Sequence, residues 1–234
     1  MKKNRFFKVL IGFIIITSIF SITVFAKYFT SSDNVVNNFG TGSISVKIAE
    51  RFKQNETWNG NEISKNVKVK NTGDNGELVR VSITPRWIDE DGNPWPGDTN
   101  LVTLNLKNIV DSSNKDKNEG NLWIDGKDGY YYSSVLPNGS KDDIDAEKNN
   151  KFDAASRYED SLTTNNKSNY SSEILSSVSL KLNGLSEYER GRYKGKRLVV
   201  DVNVEAIAPK KSEISSKWNE INNDVKNYLE SICN

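Results

Sequence analysis

Acid–base and metal chemistry near neutral pH most often rest on histidine, and this chain of 234 residues contains none. That removes the commonest general base and the commonest transition-metal ligand together. A serine–histidine triad and a histidine-based zinc site are therefore excluded, and the sequence offers no catalytic, metal-ligating or cofactor-binding set. The single cysteine, Cys233, stands next to the last residue. No internal disulfide forms, and the fold must rest on apolar burial. The run Asp89-Glu90-Asp91-Gly92-Asn93 has the composition of a calcium loop, but the EF-hand pattern wants glycine at its sixth position and glutamate at its twelfth. Pro94 and Asn100 stand there instead, so the run reads as a solvated turn. Glycoside hydrolysis needs two carboxylates at a set separation, and no spacing singles out a pair. Trp87, Trp95, Trp123 and Tyr130 to Tyr132 have the side chains of an apolar platform for sugar rings, the mark of an extracellular carbohydrate-binding module. The competing account is that aromatic residues simply favour half-buried strands.

The N-terminus decides where the rest of the chain folds. Lys2, Lys3, Arg5 and Lys8 make a basic head without an acid, followed by an uncharged, apolar run from Val9 to Ala26. A basic head stays on the cytoplasmic side while the apolar part enters the bilayer. The run's length fits both a long signal segment and a short membrane span. Its end discriminates: Val24 and Ala26 form a V-x-A site that predicts cleavage before Lys27. An uncleaved anchor, with Lys27 as its stop, is the alternative. In both cases the remaining chain lies outside the cell, and it meets the membrane only through this segment.

Four of the 32 basic residues and none of the 31 acids lie in residues 1–26, which leaves 28 against 31, a net charge of −3. Such a balance argues against nucleic-acid binding. The elements that follow are mostly strands. Residues 27–42 form a weakly patterned segment with Tyr28, Phe29, Val35, Val36 and Phe39 as its apolar residues, closed by Gly40-Thr41-Gly42. From Ser43 the alternation of Ile44, Val46 and Ile48 has period two. It recurs at Val67 and Val69, and at Val79, Val81 and Ile83 up to Pro85, where a strand should stop. Arg86 to Asp98 reads as a structured loop and Leu101 to Leu106 alternates again. Leu122-Trp123-Ile124, the turn Asp125 to Gly129 and Tyr130 to Tyr132 predict a hairpin. Lys141 to Ser172 reads as a polar surface insertion, with a short helix within Asp143 to Asp160 and a mobile stretch from Thr163. Ile174 to Leu182 and then Leu198 to Ala206 return to strand, the latter central in a sheet. Ser212 to Ile232 steps by three or four and predicts one amphipathic helix docked on its own sheet.

The expected architecture is all-β: a two-sheet, jelly-roll-like sandwich over residues 43–209, with the insertion at 141–172 and a C-terminal helix at 210–234, preceded by an N-terminal signal helix. An immunoglobulin-like sandwich fits the same statistics without its usual disulfide.

Several short blocks, taken in order, resemble the TasA/camelysin-like proteins that Gram-positive bacteria export through a SipW-type signal peptidase. They are the alanine before Lys27 with Tyr28-Phe29-Thr30; Asn38 to Ile44; Val67 to Asn71 with Val79-Arg80-Val81; Tyr130 to Tyr132; Val135 to Ser140; Val178 to Leu180; and Val202 to Ile207. The insertion and the C-terminal helix depart from that pattern. The resemblance implies a secreted jelly-roll subunit of the cell surface or biofilm matrix. It also implies self-assembly, or assembly with other matrix proteins, by donation of an N-terminal strand. The subunit contact would then fall on Tyr28, Phe29, Val35, Val36 and Phe39. Camelysin-like members have been classed as metalloproteases; a chain without histidine does not supply H-E-x-x-H, and the expectation is a non-enzyme.

Overall fold

The structure, a computed structural model, describes residues 29–37 as backbone, together with 44–52, 59–113, 122–139, 153–163 and 169–233. The strands are β1 (Phe29–Asn37), β2 (Val46–Phe52), β3 (Ile63–Asn71), β4 (Leu78–Ile88), β5 (Pro94–Trp95), β6 (Val102–Leu106), β7 (Ile109–Asp111), β8 (Trp123–Asp125), β9 (Tyr131–Ser133), β10 (Leu175–Leu180) and β11 (Arg197–Ile207). The helices are α1 (Ala154–Thr163), α2 (Glu187–Arg192), α3 (Lys211–Lys217) and α4 (Asn223–Ser231). One sheet runs β1-β11-β4-β9-β8-β7 with β5 beside β4, and the other runs β2-β3-β10-β6. The two sheets make an all-β sandwich.

Period two explains which side of each strand enters the core. Leu198, Val200, Val202, Val204 and Ala206 of β11 and Val79 and Val81 of β4 meet Val46 and Ile48 of β2, Val67 and Val69 of β3, and Leu175 and Val178 of β10 in one buried cluster. In β10 the two apolar residues are three apart, which alternation forbids. A register shift between Leu175 and Ser177 restores the phase, as a bulge does.

The other faces of both sheets are covered too. Leu78, Ile124, Tyr132 and Ile207, on the outer face of the long sheet, are buried by Ile214, Trp218, Ile221, Val225, Tyr228 and Leu229. The C-terminal segment thus docks on its own sheet through the residues its spacing singled out. It does so as two helices and not one: Asn222 accepts the Val225 N–H at 2.9 Å and caps α4, breaking the expected run after Trp218. On the short sheet, Tyr158 of α1 and Tyr170 pack over Ala49.

Three further expectations are corrected. Strand β4 passes through Pro85, because β9 and β5 pair only with residues 80–81 and 87–88 of its free side, and a proline is tolerated where no ladder partner needs its missing N–H. The expected loop 86–98 contributes Arg86 to Ile88 to β4 and Pro94–Trp95 to β5, around a turn in which Asp89 accepts the N–H groups of Asp91 and Asn93. The insertion is anchored: its helix runs over Ala154–Thr163, and beyond it Tyr170 bridges Lys70 while the Ser171 N–H donates to Val69.

Candidate functional site

The N-terminal segment gives the geometry that bears most directly on subunit contact. β1 lies parallel to β11 at the edge of the long sheet, nine residues in unbroken register from Phe29 opposite Leu198 to Asn37 opposite Ala206. Parallel pairing across so long a stretch of intervening chain has no hairpin to fix it, so side-chain complementarity must set the register. In register the two sequences match only in part. On the phase shared with the core residues of β11, Phe29 pairs with Leu198 and Val35 with Val204, but Ser31 pairs with Val200, Asp33 with Val202 and Asn37 with Ala206. Val36 falls opposite Glu205. A shift by one residue would bring Thr30, Ser32, Asn34 and Val36 into those positions, no better a set. Among the expected contact residues, Phe29, Val35 and Val36 therefore belong to β1, while Tyr28 and Phe39 lie outside the described residues. So do the cleavage residues Val24, Ala26 and Lys27.

The tryptophans do not form a platform. Trp123 is wholly buried and Trp87 nearly so. Trp87 and Trp95 meet edge to face, at 84° and 6.4 Å, and Tyr193 closes on both at 4.9 and 5.0 Å. This is a packed aromatic knot: the Trp87 indole donates to the Asp98 carbonyl at 3.2 Å, and a Cβ on Gly97 would meet ring atoms of both tryptophans at 2.5 to 2.6 Å. Stacked sugar recognition needs an open ring face, and the two rings are not coplanar.

A cleft of about 220 Å³ lies between the β8–β9 hairpin and the α3–α4 junction, lined by Arg80, Asp128, Tyr130 and residues 217–220. Its polar groups largely satisfy one another. Arg80 stacks on Tyr130 at 4.0 Å and on Trp218 at 5.1 Å, and its Nε and Nη2 donate to Glu205 at 3.0 and 2.8 Å. Burial alone would weaken the guanidinium's hold on its proton, but its bonds to Tyr132 and Glu205 outweigh that and raise its pKa. The Tyr132 hydroxyl donates to Asp128 at 2.6 Å; burial first and this bond second push its pKa up.

Among the described residues no group of three or more His, Cys, Asp or Glu is placed to hold a metal ion, and no helix is long and apolar enough to cross a membrane. Sequence reading missed the groups that make the interior polar. Lys65 Nζ meets Glu50 Oε1 at 2.6 Å with both side chains almost fully buried, at positions that strand alternation alone marks as inward. No family model, curated protein or solved structure matches the chain. What fold and edge define together is a two-sheet β-sandwich whose N-terminal strand, mostly polar in sequence, lies parallel to β11 at the end of the long sheet.

Proposed function

We propose that the protein is an exported structural component of the cell surface or extracellular matrix, released by cleavage after Ala26 and assembling through exchange of its N-terminal strand. On this reading residues 1–26 are a signal helix handled by a SipW-type peptidase, the sandwich is of jelly-roll type, and the chain is not an enzyme. The observation that carries the reading is β1: a separate strand on the sheet edge, nine residues long and mostly polar. Its bond to β11 is main-chain pairing, which the same strand of a second copy supplies equally well. Strand addition of this kind takes affinity from backbone hydrogen bonds and specificity from alternate side chains. Exchange that is head to tail propagates into filaments instead of closing a dimer.

Filament formation is the measurement that decides. Protein beginning at Lys27 and protein beginning at Gly40 are compared by electron microscopy and light scattering at matched concentration. The longer chain is expected to form filaments and the shorter to stay monomeric. Equal behaviour of the two would remove strand exchange and leave a monomeric surface domain. Intact-mass measurement of the exported protein checks the start at Lys27.

A further inference from the structure

Where the chain enters β2, three segments are tied by a small polar knot. The Thr72 N–H donates to the Ser45 carbonyl at 2.7 Å, and the hydroxyls of Ser45 and Thr72 share a hydrogen bond at 2.8 Å. Glu77 and Leu136 exchange both backbone hydrogen bonds, at 3.0 and 2.8 Å. The Asn71 amide donates to the carbonyls of Asn75 and Leu136. Into this knot projects the side chain of Glu77, which has no solvent exposure. Its Oε1 accepts the Ser45 N–H at 2.7 Å, and its Oε2 is buried with no hydrogen-bond partner.

A carboxylate in that position lacks what buried charges need, a cation or a full set of donors. The ionisable groups on the surrounding elements are Lys47, Glu50 and Arg51 on β2, Lys65, Lys68 and Lys70 on β3, Asp74 in the β3–β4 turn, and Arg80 and Arg86 on β4, and residues 133–139 carry none. Among the ion pairs of the described residues, Lys65 pairs with Glu50, Lys70 with Asp160, Arg80 with Glu205 and Arg86 with Asp201, and none of these pairs includes Glu77. Glu77 is thus the ionisable member of a knot otherwise made of neutral groups.

We propose that Glu77 is a proton-controlled clasp: protonated, it stays buried and holds Ser45, and on ionisation it draws water in and loosens the point where the N-terminal segment joins the sandwich. Burial raises its pKa to about 8, against a smaller lowering by the Ser45 N–H. The switch therefore falls between neutral and mildly alkaline pH. It does not rest on strand exchange and holds for a monomer as well.

Hydrogen exchange read by mass spectrometry on peptides covering residues 44–49, corrected for the intrinsic rate at each pH, tests the clasp in the chain beginning at Lys27. Local opening that frees Glu77 is expected to rise about tenfold per pH unit between roughly pH 5 and 8, and to be flat with pH in E77Q. Peptides over β6 serve as the internal reference, since it lies at the opposite edge of the short sheet from β2. Loss of the pH dependence only in E77Q supports the clasp; the same dependence in both chains overturns it. Should E77Q fail to fold, carbon-detected titration of the glutamate carboxyls in the unaltered chain decides: a Glu77 midpoint near 8 supports the proposal, and one below about 5.5, in the ordinary glutamate range, ends it.

Discussion

A buried ion pair and a lone buried carboxyl set the balance of this molecule in opposite ways. Glu50 and Lys65 are buried as a pair at 2.6 Å, where each repays part of the other's lost hydration. Removing one partner leaves an uncompensated charge, so E50A is expected to lower stability by about 3–5 kcal/mol, whereas replacing both with apolar residues of similar volume is near neutral. Urea unfolding midpoints of E50A and of the double variant E50L/K65M make the comparison. An equal loss in both would mean that packing, and not charge, is what the pair supplies. Glu77 instead is buried without a counter-charge. Its pKa rises from 4.5 unfolded to about 8 folded, so between those values the folded state keeps a proton that the unfolded state releases. Stability is then highest below about pH 4.5, as far as this group is concerned, and falls as pH climbs to about 8, by a loss on the order of 5 kcal/mol. Thermal melts of E77Q are expected to lack that decline. Neither group was legible in the sequence. Alternation marks Glu50 and Lys65 as inward, and Glu77, one residue before β4, falls on the inward phase of Val79 and Val81, but only the assembled sheets reveal that these positions lack water.

At the scale of elements, the two C-terminal helices act as a lid on the outer face of the long sheet. A chain ending at Ala208 would expose Leu78, Ile124, Tyr132 and Ile207 together, a contiguous apolar surface of the kind that drives association. It is expected to bind a hydrophobic dye and to sediment as aggregates, where the full chain does neither. Within that lid Trp218 packs edge to face on Tyr132 at 5.6 Å, and W218A is expected to cost about 3–5 kcal/mol. The strand runs and the helical spacing of Ile214, Trp218, Ile221 and Val225 were readable because each pattern repeats over many residues. Boundaries were less so. Asn222 turns one helix into two through a single side-chain bond, and Pro85 sits inside β4 only because of where β9 and β5 happen to pair. β7, three residues long and parallel to β8, is too short to carry a period. The anchoring of the insertion depends on Tyr158 and Tyr170 finding Ala49, a contact that polar composition hides.

At the scale of the whole molecule, the core was legible as a set and its connectivity was not. The alternating residues of β4 and β11 are buried as their pattern requires, yet that β11 takes β4 on one side and β1 on the other follows from no local signal. That arrangement has a kinetic side. Phe29 meets Leu198 and Leu78 meets Ile207, so the long sheet cannot close until nearly the whole chain is available. Contacts this distant in sequence make for slow folding, on the order of milliseconds to seconds. A chain that emerges from its N-terminus first therefore holds its earliest strand unpaired for the full time its remainder takes to appear. During that interval the segment is open to whatever sheet edge it meets, and the last long strand to arrive decides whether it is reclaimed by its own chain.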